Sequence, residues 1–322
     1  VSGIRFAVRV NAIHYEAVDV ISLTLVPLSG EILPEIDPGA HLIVHLPNGL
    51  ARSYSLSNTQ SADGYRLTVA RDLKSRGGST WIHDQLRVGQ LLEIEPPANN
   101  FQLEEGVAES IFIAGGIGVT PFIPMACRLS SLGRRWTLYY CVRKANRAAL
   151  LGEIQAIAAE GNGSVIANFD EEPGGSLLDL GAVFRGARPN THFYCCGPTG
   201  MLTAYRAAAD AASVPSGLVH FEYFSNATPL AVSDAGYVVE LRKSQREIAV
   251  QPGQTILKAL IDAGVRMQYS CEEGICGACE VRVLEGIPDH RDMILSEHEK
   301  RESKIMMVCC SGSKSARLVL DL

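Results

Sequence analysis

Apolar and polar positions alternate in short runs over the first hundred or so residues. "FAVRVNAIHY", "ISLTLVPL", "HLIVHLP", "YRLTVARD" and "LLEIEPP" each have the period of a half-buried strand. The turn signals "PLSG", "DPGAH", "PNG" and "SADG" separate them, and one helical piece, "STWIHDQLRVG", interrupts the series. Short strands at this spacing predict an antiparallel β-barrel over residues 1–103. From about Glu109 the period changes. "SIFIAGGIGVTPFIPMACRLSSLG" reads as an apolar strand, a glycine turn and a helix, "RWTLYYCVRK" as a strand and "ALLGEIQAIAAE" as a helix. "SVIANFDEE", "HFYCCGPTGMLTAYRAAADAA" and the last strand "LVHFEYFS" continue the alternation. Strands alternating with helices predict an α/β region with a parallel sheet over residues 104–226.

The small and polar stretch "NATPLAVSDAG" predicts a linker at 227–235. Residues 236–322 then open with a hairpin, "YVVELRKSQREIAVQPG", and a helix, "QTILKALIDAGV", that ends at Gly264. With 322 residues, 47% of them hydrophobic, the chain can bury a core in each region.

The net charge is −6 and no Lys/Arg block stands out, which argues against a nucleic-acid partner. No apolar run approaches the ~18 residues of a membrane span. The stretch "VSGIRFAVRV" lacks the basic region and apolar core of an export signal, so the expected location is the cytoplasm. In a reducing compartment the nine cysteines are expected to be metal ligands or buried thiols rather than disulfides.

Three of them crowd into "YSCEEGICGACEVRV" as Cys271, Cys276 and Cys279. C-x4-C-x2-C with a distant fourth cysteine is the plant-type 2Fe-2S spacing, and thiolates suit its soft, electron-sharing irons. Gly274, Gly277 and Ala278 let the backbone wrap closely around the sulfides. The fourth ligand is Cys309 or Cys310 in "IMMVCCSGSK", and spacing leaves both open. A zinc site would favour paired C-x2-C units, and only one is present. The paired C-x-H and C-x2-H boxes of a Rieske centre are missing. His290 and His298 in "PDHRDMILSEHE" read as surface histidines, not ligands. No 2-His-1-carboxylate iron site is evident either, so the chain is expected to carry electrons without itself activating oxygen.

Four further motifs lie upstream. Gly115, Gly116 and Gly118 stand between a strand and a helix, where glycines let a backbone approach a pyrophosphate. The sixth position is Pro121, so this is not the G-x-G-x-x-G fingerprint. "CCGPTGM" places Cys196, Gly197 and Pro198 at the same carboxyl edge of the sheet. In "ARSYSLSN", Arg52 and Tyr54 share one strand face and Ser55 takes the other. In "RGGSTWIHD", Gly77, Gly78 and Ser79 precede a helix, an anion-friendly terminus. Taken singly, these are also an ordinary strand, an N-cap and a small buried cysteine.

R-x-Y-S, G-G-S, G-G-x-G-x-T-P and C-G-P, in that order, resemble the ferredoxin-NADP-reductase superfamily over residues 1 to about 226. Residues 236–322 resemble a plant-type ferredoxin domain, which implies an α+β β-grasp fold. In that family the third and fourth ligands lie about thirty positions apart, so the resemblance names Cys309. The domain order resembles the phthalate dioxygenase reductase family, which includes the reductases of vanillate demethylase and carnitine monooxygenase systems.

That resemblance implies an oxidoreductase that holds FMN on the R-x-Y-S strand. Arg52 would pair with the flavin phosphate, with Ser53 and Tyr54 beside the flavin and Ser55 near its N5. Gly77, Gly78 and Ser79 would cradle the phosphate. Gly116, Gly118, Thr120 and Pro121 would line the dinucleotide groove, with Cys196 and Gly197 near the nicotinamide. Phe224 would cover the flavin face that the nicotinamide enters. Ser55, Cys196 and Phe224 are thereby the candidate catalytic residues. NADH is expected over NADPH, although Arg143 and Lys144 stand where a ribose 2′-phosphate could be met. The implied partner is a Rieske oxygenase acting on a phthalate-like aromatic acid, served by a monomeric reductase. A plant-type cluster near about −400 mV passes electrons downhill to Rieske centres at about −150 to +300 mV. Reduction of a P450 or another demethylase is the alternative. A carrier with no catalysis of its own would leave the flavin and nucleotide motifs unexplained.

Overall fold

The computed structural model describes residues 5–28, 32–59, 64–73, 77–224, 236–269 and 271–322. The chain forms two compact units, Val1–Phe224 and Ser225–Leu322. The expected linker at 227–235 lies outside the described residues.

The first unit opens with β1 (Phe6–Ala17), β2 (Val20–Pro27), β3 (His41–His45), β4 (Ala51–Ser55), β5 (Tyr65–Ala70), α1 (Gly78–Gln85) and β6 (Leu91–Ile94). The strands form one antiparallel sheet in the order β4-β3-β6-β1-β2-β5. Alternation decides which face is buried: Val8 and Val10 of β1 are inside while Ala7 and Arg9 are outside. Val8, Val10, Leu23, Leu25, Leu42, Val44, Leu67 and Ile94 share the core of this sheet.

The sheet curls as a barrel does, but its ladder is not continuous. The edges β4 and β5 meet at a single bridge, Leu56 with Leu67. Beyond it, side chains take the place of a closing strand. Asn58 Oδ1 accepts from Arg66 N at 2.8 Å, and Asn58 Nδ2 donates to the Gly64 carbonyl at 2.9 Å. These bonds satisfy backbone groups that a closing strand would otherwise have paired.

The parallel sheet follows: β7 (Glu109–Gly115), α2 (Phe122–Ser131), β8 (Arg135–Val142), α3 (Leu151–Ala159), β9 (Gly163–Phe169), α4 (Leu180–Gly186), β10 (His192–Gly197), α5 (Thr199–Ala211) and β11 (Val219–Tyr223). Its order is β11-β10-β7-β8-β9. Sequence patterning did not single out α4, whose start is marked by Asp179 capping the Ala182 amide at 2.9 Å. Phe112, Phe122, Trp136, Tyr140 and Tyr194 build this core, and Ala17, Val20 and Phe101 of the first region join it. The two sheets are thereby welded into one unit.

The second unit contains β12 (Tyr237–Leu241), β13 (Arg246–Val250), α6 (Ile256–Asp262), β14 (Glu280–Glu285), β15 (Pro288–Asp289), α7 (Glu297–Glu302), β16 (Ile305–Met307), β17 (Gly312–Ser313) and β18 (Arg317–Leu320). Its main sheet runs β13-β12-β18-β14-β16, with β12 and β18 parallel. Helix α6 is capped by Thr255 and packs Ile256, Leu257 and Leu260 into a core with Val239, Met306 and Leu318. As expected, its helical path stops by Gly264, which has φ +75°.

Candidate functional site

Arg52 and the start of α1 come together. A Cβ built on Gly78 would lie 2.7 Å from Arg52 Cγ and 3.0 Å from Arg52 Nε, so only glycine lets the arginine cross the helix start. Gly77 precedes α1 in the left-handed region at φ 94°, so the N-cap position itself brings no side chain. Ser79 is buried, with its Oγ accepting from Asp72 N at 3.1 Å. A cation beside a helix start is a site for a phosphate. Tyr54 continues the strand. Burial pushes its phenol well above the ordinary value, and Arg52 offsets part of this. Ser53 lies half-buried opposite Ile43.

At the end of β4, Ser55 is buried, and its Oγ has no hydrogen-bond partner among the described residues. It faces the carboxyl group of Glu222, a residue the sequence reading passed over. Glu222 is half-buried, and its Oε2 is occluded and also unpartnered among the described residues. Desolvation raises its pKa from 4.5 to about 8, with Ser55 offsetting a part. The group therefore holds a proton near neutral pH. Cys196 stands in register with Glu222 on β11 and with Ala114 on β7, and is fully buried. Burial first, then Glu222 and Cys195, push its thiol well above the ordinary range. It is therefore a neutral neighbour of the site, not a nucleophile. Phe224 follows β11 and packs half-buried against the parallel-sheet core.

The glycine turn differs from its expected use. A Cβ on Gly118 would meet the Cys196 carbonyl oxygen at 2.1 Å, and one on Gly115 would meet Pro198 Cδ at 2.6 Å. A Cβ on Gly197 would approach Gly115 Cα at 3.0 Å. These glycines let the ends of β7 and β10 touch. Gly116 faces open space, with no described atom within 4 Å of its built Cβ, and has φ +56°. The turn passes through a 3-10 segment, Gly116–Val119, before α2. Thr120 Oγ1 donates to the Ile117 carbonyl at 3.0 Å, and Pro121 occupies the N-cap position of α2. Arg143 lies 3.5 Å from Glu171 at the exposed end of β8.

In the second unit Cys271, Cys276, Cys279 and Cys309 are all buried. Hydrogen bonds from Cys276 and Cys309, then from the Ile275 and Glu273 amides, hold Cys271 far below the usual thiol range despite its burial. Cys309 also meets Cys279, and its own thiol is pushed up mainly by Cys271. The four sulfurs are thus neighbours, with Glu273 N 3.3 Å from Cys271 Sγ. Among the described residues no three His, Cys, Asp or Glu side chains are spaced around one ion. A 2Fe-2S cluster asks only two thiolates of each iron, and a buried four-thiol set fed by backbone amides fits it. Cys310 Sγ lies 3.8 Å from the Met307 carbonyl and 3.8 Å from Ser311 Oγ, and it also reaches Cys309 and the loop at Gly274.

The surface reading holds for His298, whose side chain is 76% exposed, and fails for His290, which is 8% exposed beside Asp292. The polar string "PDHRDM" disguised a buried pair.

A 2Fe-2S iron-sulfur cluster binding domain matches residues 239–313, and an oxidoreductase NAD-binding domain matches residues 112–207. Phthalate dioxygenase reductase of Burkholderia cepacia is 37% identical over 306 residues, covering 94% of this chain and 93% of that protein. The chain belongs to the phthalate dioxygenase reductase family. A solved phthalate dioxygenase reductase superposes with a TM-score of 0.74 at 35% identity, covering 99% of this chain and 98% of that one. The tetrachlorobenzoquinone reductase of Sphingobium chlorophenolicum is 48% identical over 315 residues, 97% of each chain. An intact self-sufficient cytochrome P450 monooxygenase matches with a TM-score of 0.86 at 35% identity, where this chain spans 99% of itself and 41% of the other.

As a member of this family, the protein is an NADH-dependent flavin and iron-sulfur oxidoreductase, the reductase component of an oxygenase system. Its cofactors are those of the family: FMN, NADH and a 2Fe-2S cluster. No helix among the described residues is long and apolar enough to cross a membrane.

Proposed function

We propose that this chain works as a monomer in the cytoplasm and delivers electrons to a Rieske oxygenase acting on a phthalate-like aromatic acid. Residues 1–103 hold the flavin, 104–226 the nucleotide and 236–322 the cluster. FMN, when bound, takes an electron pair from NADH and releases it singly to the 2Fe-2S cluster. The chain's own residues bind and orient. Arg52, with Gly77, Gly78 and Ser79 at the start of α1, grips the flavin phosphate, and Ser53 and Tyr54 flank the ring system. Ser55 touches the reacting edge. Glu222 holds a proton on its carboxyl beside Ser55, so the reacting edge faces a neutral acid rather than a repelling carboxylate. Cys196 and Gly197 would shape the nicotinamide seat, and Phe224 would cover the flavin face that the nicotinamide enters. Gly116, Gly118, Thr120 and Pro121 form the dinucleotide turn, Gly116 by direct approach and the others by holding its shape. Cys271, Cys276, Cys279 and Cys309 ligate the irons.

The observation that carries this reading is the meeting of Ser55, Cys196 and Glu222 from two different sheets. Anaerobic titration with NADH tests it. Flavin and cluster bands should both bleach, and heat-released flavin should be FMN. Released FAD, or a cluster that NADH leaves oxidised, would refute it.

The relatives support two other acceptors for the same electrons. The likeness to a self-sufficient P450 favours a haem partner, and the likeness to tetrachlorobenzoquinone reductase favours a substituted benzoquinone. Turnover with a Rieske oxygenase, a P450 and a chlorinated benzoquinone, compared at equal reductase, separates the three.

A further inference from the structure

Behind the cysteine loop lies a buried polar pair that ligation of the irons does not use. His290 Nδ1 is 3.6 Å from Asp292 Oδ1, with side chains 8% and 0% exposed. Neither ring nitrogen of His290 nor Asp292 Oδ1 has a hydrogen-bond partner among the described residues. The rest of Asp292 is held firmly. Its Oδ2 accepts from Leu295 N at 2.9 Å, and its carbonyl accepts from Lys300 Nζ at 2.8 Å. Desolvation opposes ionisation of this carboxyl, but His290, the Leu295 amide and Lys300 outweigh it and hold the pKa below the ordinary value. The interior of this unit therefore contains a fixed negative charge.

The residue that bears it adjoins the loop between two ligands. A Cβ built on Gly274 would lie 3.0 Å from Asp292 Cα and 2.3 Å from Cys310 Sγ. Met293 N donates to the Gly274 carbonyl at 3.0 Å. Gly274 stands two residues before Cys276, and Cys310 directly follows Cys309. An added electron raises the negative charge of an iron-sulfur cluster, and a nearby carboxylate in a low-dielectric interior opposes it. An imidazole beside that carboxylate, offering an N–H or a positive charge, weakens the opposition.

We propose that Asp292, with His290 as its counter-group, sets the reduction potential of the cluster held by the adjoining loop. Both are positioning residues, acting through charge one layer behind the ligands. The inference rests on the reading of Cys271, Cys276, Cys279 and Cys309 as those ligands.

The test is a redox titration of the holoprotein, followed by the cluster's EPR signal. Asp292→Asn keeps the size of the side chain and an acceptor for Leu295 while removing the charge. The midpoint should move to a more positive value, by about tenfold in the reduction equilibrium, or about 59 mV for one electron. His290→Phe keeps the ring volume and removes the offsetting N–H, so its midpoint should move the opposite way. Both shifts should persist at high salt, because buried charges are weakly screened. A structural anchor would alter cluster content or EPR line shape without this pair of opposed shifts. An unchanged or more negative midpoint in Asp292→Asn with an intact cluster signal overturns the proposal. If that variant fails to load a cluster, His290→Phe decides: a more negative midpoint supports the proposal, and an unchanged or more positive one overturns it. Failure of the ligand reading would look different, as a full cluster signal surviving in Cys309→Ser.

Discussion

The cysteine loop at 271–279 and the glycine turn at 115–118 are both short and rich in small residues, yet they are built for different ends. In the loop the cysteines point inward at one another, and Cys309 completes the set. The turn has no such donors. Its Gly118 is pressed against the Cys196 carbonyl and its Gly115 against Pro198, leaving Gly116 as the glycine that faces open space. One region invests its special residues in ligand chemistry. The other invests most of them in bringing two strand ends into contact, so that Ser55, Cys196 and Glu222 can meet beside them. Damage to the loop should therefore appear as a lost cofactor in a folded protein, and damage to the turn as lost folding.

The largest effect should come from Cys309→Ser. Loss of one thiolate should abolish the cluster absorption and EPR signal, while Cys310→Ser, whose sulfur faces Met307 and Ser311, should retain both. The reverse outcome would mean that the loop recruits its fourth donor differently. Next comes Gly118→Ala. Its new methyl would meet immovable backbone at 2.1 Å, so denaturant unfolding of the first unit should show a loss of about 3 kcal/mol. Gly116→Ala meets open space, and should lose only about 1 kcal/mol through its positive φ. Equal losses would erase the contrast drawn between those two glycines.

Arg52→Ala tests the phosphate end of the flavin site. Removing a charge-assisted contact of about 1.5–3 kcal/mol should weaken FMN retention roughly ten- to a hundredfold by equilibrium dialysis. Unchanged retention would place the phosphate elsewhere. A pH profile tests Glu222. Its folded pKa of about 8 lies above the ordinary 4.5, so between those values the folded chain keeps a proton that the unfolded chain has released. Stability should fall as pH rises through that window, by about 1.4 kcal/mol per pH unit from this group. Glu222→Gln should flatten that component of the unfolding profile. A profile as steep as the parent's would show that the carboxyl is not desolvated.

Several of these features were legible before any coordinates, for identifiable reasons. Cysteine spacing reports ligand chemistry directly, and strand alternation in β1 and the continuous apolar run of β7 report burial. The choice between Cys309 and Cys310 was not in the spacing, since neighbours on a chain differ only in where their sulfurs turn. The incomplete barrel ladder was hidden because Asn58 replaces strand bonds with side-chain bonds. Glu222 was hidden because one carboxylate in the strand "LVHFEYFS" looks like an edge residue, although a Glu among aromatic neighbours was a usable signal. Helix α7 carried its own sign: Ser296 and Glu299 form a capping box at the S-x-x-E spacing. The domain resemblance pointed to a flavin strand and two turns, but could not say that Gly118 packs against Cys196.

The central claim is that electrons enter the first unit as a pair and leave singly through the second. Each unit has its own hydrophobic core, so a chain ended before residue 227 should keep the first one folded. The decisive measurement is anaerobic NADH oxidation by that shortened chain, with ferricyanide and with cytochrome c as alternative acceptors. The shortened chain should match the full chain with ferricyanide, which collects electrons at the flavin, and should lose nearly all reduction of cytochrome c. Cytochrome c reduced as fast by the shortened chain as by the full one would take the cluster off the electron path and contradict the claim.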